Sequence, residues 1–237
     1  MIPLALAGAG LACLIGAALA LRAVGPGYRV ARLLAATPSA SLDEAIELAR
    51  RGGQHYVRVS GRIASDEEFP DEHNRPLVYR RKRLETADGP GRWQVLAEER
   101  EAVAFGVEAR TVFVEVDAAA LEEGLVVLTR EALGRAADLE PQLPAGGNPD
   151  APARLVVEQI SAVEHATVAG VPTKLDGERV TLTAGAGRPL ILTTVEVPAA
   201  MRLLARGHRP AVIGAVLLLI VAVGLWLAAL VALLTTG

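Results

Sequence analysis

Charge stops abruptly at both ends of this 237-residue chain: its 24 Lys and Arg and its 27 Asp and Glu all lie between Arg22 and Arg209. Two long apolar ends therefore have to be covered, by lipid or by protein, before anything between them can settle. Met1 to Leu21 is rich in Leu, Ala and Gly. As a helix it would measure roughly 31 Å, matching a hydrocarbon core of ~30 Å. The positive side chains follow this run instead of preceding it, which argues for a retained anchor over a cleaved signal peptide. Ala211 to Gly237 is longer and stays apolar until Thr235, with Pro210 at its entrance and Trp226 inside. It is long enough to cross with some tilt.

The expectation is a membrane protein in which two transmembrane helices flank a mainly β (α+β) domain, barrel- or sandwich-like, with short amphipathic helices next to the membrane. Its segments are a first span over 1–21, a juxtamembrane stretch with a short helix over 22–53, a β-rich domain over 54–195, a juxtamembrane helix over 196–209 and a second span over 210–235. The spans explain why 51% of the chain is hydrophobic while only 3% is aromatic. Trp226 is their one aromatic residue, and the core of the middle must rest on Val, Leu, Ile and Ala.

Lys and Arg near a span are retained on the cytoplasmic side. Arg22, Arg29 and Arg32 follow the first span, Arg202, Arg206 and Arg209 precede the second, and the outer ends carry no Lys or Arg. These six arginines place the middle in the cytoplasm and both termini outside. Small residues recur at four-residue spacing as Gly8, Ala12 and Gly16, and again as Gly224, Ala228 and Ala232. Such stripes let helices approach closely in lipid, either within the chain or across a homo-oligomer, although Ala-rich spans also generate the spacing by chance.

Within the middle, Ser41 followed by Glu44 is a capping-box pattern, Leu42, Ala45, Ile46 and Ala49 follow helical spacing, and Gly52-Gly53 ends the helix. Beyond it the period becomes two. Val57, Val59 and Gly61 fall on one face of a strand while Arg58, Ser60 and Arg62 fall on the other. Further strands are expected around 77–84, 92–98, 102–105, 111–116, 155–160, 164–168, 179–183 and 190–194. The turn-rich stretch 142–153 is a surface loop. Pro198 starts a last helix carrying Ala200, Leu203 and Leu204 before Gly207. Many short strands with turn breaks indicate a barrel or sandwich.

Chemistry is harder to find. The net charge of -3 disfavours a nucleic-acid binder. Cys13 lies within the first span, and His55, His73, His165 and His208 show no metal-ligand or catalytic spacing. No catalytic residue, metal ligand or cofactor is expected. The run from Asp66 to His73 holds five carboxylates and an imidazole but lacks the Gly-centred spacing of a calcium loop, and reads as a solvated hairpin tip. Arg80, Arg81, Lys82 and Arg83 form a basic run that could contact a partner or lipid headgroups. A strand would point Arg80 and Lys82 away from Arg81 and Arg83, and pairing with Glu98, Glu99 and Glu101 explains the run equally well. Gly185-Ala186-Gly187 reads as a turn, and Trp93 as a core anchor or half-buried strand residue.

The order of the pieces carries a resemblance. The N-terminal span, the Ser41 to Ala49 helix, Pro76-Leu77-Val78-Tyr79-Arg80, the Trp93 strand, and Phe105 to Val116 are followed by Glu164-His165-Ala166-Thr167-Val168-Ala169-Gly170-Val171-Pro172. Asp176-Gly177-Glu178-Arg179-Val180-Thr181-Leu182 and Pro189-Leu190-Ile191-Leu192-Thr193 then precede the second span. Together they resemble the GIDE/MULAN family, named for a mitochondrial membrane ubiquitin ligase, over nearly the whole chain. The resemblance implies a membrane-flanked "beside a membrane" domain of the RING-less, prokaryotic type. In the eukaryotic ligases a zinc-binding RING follows the second span, and here the chain ends at Gly237 without those cysteines and histidines. It also implies a middle domain in the intermembrane space, at odds with the six arginines. The function expected is a non-enzymatic interaction or scaffold protein, in envelope or stress signalling, touching membrane lipid and an unknown protein partner. A ubiquitin ligase-like component is the alternative that the resemblance carries.

Overall fold

The computed structural model describes residues 2–23, 25–87, 93–122, 124–141, 143–144, 146–175, 179–206 and 209–236; for 2–7, 21–23, 25–28, 203–206, 209–212 and 232–236 it describes the helical backbone alone. The chain divides into two compact units, Met1–Leu33 with Met201–Gly237, and Leu34–Ala200. In chain order the elements are α1 (Ile2–Ala23), α2 (Gly25–Ala36), α3 (Leu42–Arg51), β1 (Val57–Ala64), β2 (Phe69–Pro70), β3 (Pro76–Ala87), β4 (Trp93–Ala102), β5 (Phe105–Ala109) and β6 (Val112–Val116). There follow β7 (Leu125–Val126), β8 (Arg130–Arg135), β9 (Pro152–Ser161), β10 (His165–Lys174), β11 (Val180–Thr183), β12 (Ile191–Thr193), α4 (Val197–Arg206) and α5 (Arg209–Thr236).

In the first unit α1 packs along α5. The covered positions are Gly10, Cys13, Ala17 and Ala20 on α1 and Ala215, Leu218, Ala222, Leu225 and Ala229 on α5, flanked by Gly16 and Gly214. Their alternating spacing of three and four is the seam of a left-handed helix pair. A Cβ at Gly10 would collide with Cδ1 of Trp226, so the missing side chain makes room for the indole. The expected stripes are elsewhere. Gly8, Ala12, Gly224 and Ala228 are exposed, and Ala232 lies outside the described side chains. Outward-facing Leu11, Ile15, Leu19, Ile213, Leu217, Ile220 and Leu227 leave the pair apolar on its surface. Among the described residues one stretch is long and apolar enough to cross a membrane, the 19-residue Ile213–Val231 with mean hydropathy 2.8. The described apolar part of α1, Gly8–Ala20, is shorter than the expected first span.

The second unit is a mainly β body. β1, β5, β6, β11 and β10 form a closed ring, β10 pairing back onto β1. β1 runs antiparallel to β10 and β5, while β11 lies parallel to β6. Numbered by their order within the ring, the strands close as first, second, third, fifth, fourth, first, the winding of an OB barrel. β1 must serve both edges: Val57 to Arg62 pair with β10 and Arg62 to Ala64 with β5. Gly61 sits at this bend, where a Cβ would meet the Glu108 carbonyl oxygen at 2.6 Å.

Val59, Ile63, Val107, Val114, Val116, Val168 and Leu182 fill the barrel, as their period-two spacing requires. α3 lies against it through Leu42, Ala45 and Ala49. Its capping box is formed: Ser41 Oγ accepts from the Glu44 N–H at 3.2 Å and Glu44 Oε2 accepts from the Ser41 N–H at 2.7 Å. This helix belongs to the barrel unit. Its apolar stripe is too short to be stable alone and gains its order from the core.

Between β1 and β5 the chain inserts β2, β3 and β4, and between β6 and β10 it inserts β7, β8 and β9. The insertions combine into a second antiparallel sheet in which β4, β3, β9 and β8 lie side by side and β2 extends the edge of β3. β7 instead joins the barrel sheet beside β12. Gly124, just before β7, has no room for a side chain, because a Cβ would collide with the Leu190 carbonyl oxygen. Gly124→Ala is expected to lower unfolding stability by about 1–3 kcal/mol through overpacking against backbone, measured as a reduced thermal midpoint of the full chain in detergent.

Candidate functional site

On the barrel strands the residues that alternate with the core face outward, and toward one end of β6, β10 and β11 these include Glu115, Thr173, Thr181 and Thr183. Thr181 is directly opposite Thr173 on β10 and Glu115 on β6, so the three form a row across neighbouring strands. One step further along, Thr183 Oγ1 donates to Asp117 Oδ2 at 2.9 Å. The insertion sheet overhangs this row with Tyr79 of β3 and with Arg100 and Ala102 of β4. The result is a cavity of about 570 Å³, within the ~300–1,000 Å³ usual for small-molecule sites. Ala102, Ala118 and Leu175 supply apolar wall.

Two hydroxyls lining this cavity are buried and have no hydrogen-bond partner, Tyr79 Oη and Thr181 Oγ1. Tyr79 is 1% exposed and Thr181 6%. Leaving such a group unpaired costs about 1–3 kcal/mol. Burial pushes the Tyr79 phenol above its ordinary pKa, and the charges of Arg81 and Arg100 pull it partway back. The phenol therefore stays protonated at neutral pH. Asp117 keeps one oxygen beyond its Thr183 bond, and Glu115 has no ion-pair partner among the described residues. Arg100, the cation in the wall, is engaged by Glu98.

The basic run is placed otherwise than a free patch. Arg80 and Lys82 fall on one face of β3 and Arg81 and Arg83 on the other, as a strand demands. Arg80 pairs with Glu101 directly across on β4. Lys82 Nζ reaches Glu140 at 2.8 Å, not its cross-strand neighbour Glu99. Arg81 is buried: its Nε donates to Glu158 Oε2 on β9 at 2.6 Å and an Nη to the Glu122 carbonyl at 2.9 Å. Arg83 lies 3.7 Å from Glu158 and 3.8 Å from Glu85. Each of the four charges thus lies beside a carboxylate of the chain itself. Burial alone would lower the Arg81 pKa, but the hydrogen bond and charge of Glu158 outweigh it and raise the value.

In the Asp66 to His73 run Asp66, Glu67, Glu68, Glu72 and His73 are exposed, as a solvated tip requires, and Asp71 is the exception. Asp71 is buried and organises its turn, with Oδ1 accepting from the N–H groups of His73 at 2.7 Å and Arg75 at 2.9 Å, and Oδ2 accepting from Arg75 Nε at 2.7 Å. The Arg75 backbone bond leads the causes that hold its carboxyl down at about 2, against an ordinary 3.8. Trp93 is half-exposed with the Arg154 guanidinium 4.5 Å above its ring. Gly185 and Arg188 exchange backbone hydrogen bonds around Ala186 and Gly187, giving the expected turn between strands. His55, His73 and His165 are exposed, His208 lies outside the described residues, and Cys13 sits in the helix seam. Of the topology-setting arginines, Arg29, Arg32 and Arg202 are exposed, while the side chains of Arg22, Arg206 and Arg209 lie outside the described residues.

Sequence patterning does not single out Glu115, Asp117, Thr181 and Thr183. Their signal is present as polar residues alternating with apolar ones in Glu115-Val116-Asp117 and Val180-Thr181-Leu182-Thr183, but it looks like any solvated strand face until the insertion sheet is placed over it. No protein family, curated protein or solved structure matches the chain.

Arg81→Met should cost about 3–5 kcal/mol, because it leaves the Glu158 carboxylate buried and unpaired, whereas Arg81→Met with Glu158→Leu should recover most of the loss. Thermal unfolding of the three proteins checks this. For Asp71 the folded pKa of about 2 lies below the ordinary 3.8, so its stabilisation is full well above pH 4 and is lost as pH falls toward 2. The stability gap between the native chain and Asp71→Asn should therefore narrow steadily from pH 5 to pH 3.

Proposed function

We propose that the chain is a membrane-anchored, non-enzymatic interaction module of the GIDE/MULAN kind, held by two spans, 1–21 and 210–235, with its barrel in the cytoplasm and both termini outside. The observation that carries this reading is the division of the chain, which collects the two apolar helices in one unit and the whole barrel, with its cavity, in the other. Anchor and binding surface are thus separate pieces. The described part of α1 is short for a span, but its helix continues from Ile2 to Ala23 and its surface is as apolar as that of α5. The six arginines beside the spans support the cytoplasmic side.

Binding rather than catalysis is supported by where the reactive side chains lie. The described histidines are on open surface, Cys13 is between helices, and the cavity converges hydroxyls and carboxylates on an apolar wall. That cavity is bordered by the long connection after β1 and by Leu175 between β10 and β11, the positions where OB barrels hold their ligands. The role proposed for this tethered binding domain is in envelope or stress signalling.

Two measurements test the proposal. Ser60 is exposed on β1, so Ser60→Cys in a Cys13→Ala background should resist a membrane-impermeant thiol reagent in intact cells and react after permeabilisation. Ready labelling of intact cells would put the barrel outside. A photo-crosslinking amino acid at Ala119, exposed at the cavity rim, should give one discrete protein adduct in native membranes; adducts to lipid alone would overturn the interaction role.

A further inference from the structure

The insertion sheet has two open edges, β4 and β8, and the chain guards one of them. An open edge presents N–H and C=O groups that can template another strand, and charged side chains are the usual defence. β4 carries Glu98, Glu99, Arg100 and Glu101, so a second copy laid along it would meet an excess of like charge. The middle of β8 is Ala132-Leu133-Gly134, without charge or proline. Leu133 is 76% exposed, more than any other large apolar side chain among the described residues.

The ladder fixes which backbone groups of β8 are available. β8 pairs with β9 without a register shift from Arg130 opposite Val157 to Arg135 opposite Pro152, and the Ala136 N–H continues the ladder by donating to the Ala151 carbonyl at 3.0 Å. In an antiparallel ladder, residues bonded to the neighbour alternate with residues whose N–H and C=O point away. Counting back from Ala136, Gly134, Ala132 and Arg130 bond β9, whereas Glu131, Leu133 and Arg135 turn their backbone groups to the open side. The side chains of these same three residues share one face of the strand.

Across a new antiparallel edge outward residues must meet outward residues, so two copies of β8 can pair only in registers centred on a residue. Centred on Glu131 or Arg135, like charges meet. Centred on Ala132 or Gly134, Leu133 is set against a charged side chain. Centred on Leu133, that residue meets its own copy, Glu131 lies opposite Arg135 of the second copy on both sides, and Ala132 lies opposite Gly134. We infer that two copies of this chain associate edge to edge through β8, antiparallel about Leu133, joining their insertion sheets into one. The contact uses the same surface on both copies and closes at two. In the single chain Arg135 is held by Asp138 at 2.8 Å and Asp150 at 3.4 Å, and Glu131 lies 3.8 Å from Arg154. The first two pairs are exposed and the third is long, so exchanging them for intermolecular pairs costs little. No residue of β8 lines the cavity, and the association is independent of the interaction role proposed above.

Sedimentation equilibrium of the full chain in detergent reads the oligomeric state. The strand contact is smaller than the ~20–30 residues a side of a standard interface, so a monomer–dimer equilibrium with a dissociation constant of about 1–100 μM is expected. Glu131→Arg and Arg135→Glu each set like charges across the two-fold axis and should raise that constant about tenfold or more. The double variant Glu131→Arg with Arg135→Glu restores both pairs with signs exchanged and should return to within about threefold of the native chain, a recovery that misfolding cannot produce. In a Cys13→Ala background, Leu133→Cys should crosslink to a dimer with a short bismaleimide in native membranes, and Glu99→Cys on the opposite edge should not. A monomer up to about 1 mM, a dimer indifferent to both charge reversals, no recovery in the double variant, or crosslinking at Glu99→Cys in place of Leu133→Cys each overturns the inference.

Discussion

The insertion sheet is joined to the barrel through a buried charge. Arg81 projects from β3, bonds Glu158 on β9, and donates to the carbonyl of Glu122 in the connection that leaves β6. One guanidinium therefore links two strands of the sheet to the barrel's own backbone. Taking both charges out of water is costly, and only the short contact and the added carbonyl bond offset it. A hydrophobic pair of similar size could hold the strands as firmly, but it would not specify which carbonyl the sheet must meet. The cavity depends on that registration, because its overhang is Tyr79, two residues before Arg81, and Arg100, opposite Arg81 on β4.

Further along the same face charges continue in alternation. Arg154 on β9 bonds Glu85 at 2.8 Å and lies over Trp93. The other face of the sheet is apolar where Leu84 and Ala153 meet Ala136 and the segment after β8. The insertion sheet thus carries ion pairs on both faces and a small apolar patch on one.

Much of this fold is written plainly in the chain. The Ser41 to Gly52 helix is legible because caps are local chemistry, and β1 and β11 because each alternates apolar with polar residues. Elements are shortened or lost from view where periodicity fails. β4 runs on through Glu98-Glu99-Arg100-Glu101, which has no apolar face, and β8 is exposed at every residue, so nothing in either stretch marks a strand. Both exist because β3 and β9 offer them ladders. The ring closure is not readable, since β1 and β10 lie about a hundred residues apart and pair only through tertiary contact. The cavity is hidden for the same reason: its floor and its overhang come from strands far apart in sequence. In the helix pair the expected spacing of four yields to a spacing of three and four, with Trp226 seated over Gly10.

The placement of β10 has a mechanical consequence. β1, through which the chain enters the barrel, and β12, through which it leaves, both run antiparallel to β10 and flank it on opposite edges. Val57 at the start of β1 is level with Gly170, and Thr193 at the end of β12 is level with Thr167. Tension drawn through the two ends of the chain would pull these flanking strands in opposite directions along β10. Their hydrogen bonds would then be loaded together, in shear, and would have to yield as a group instead of unzipping one at a time. The two strands next to the ends of the domain are in this way held by a bundle of bonds that resists pulling from those ends.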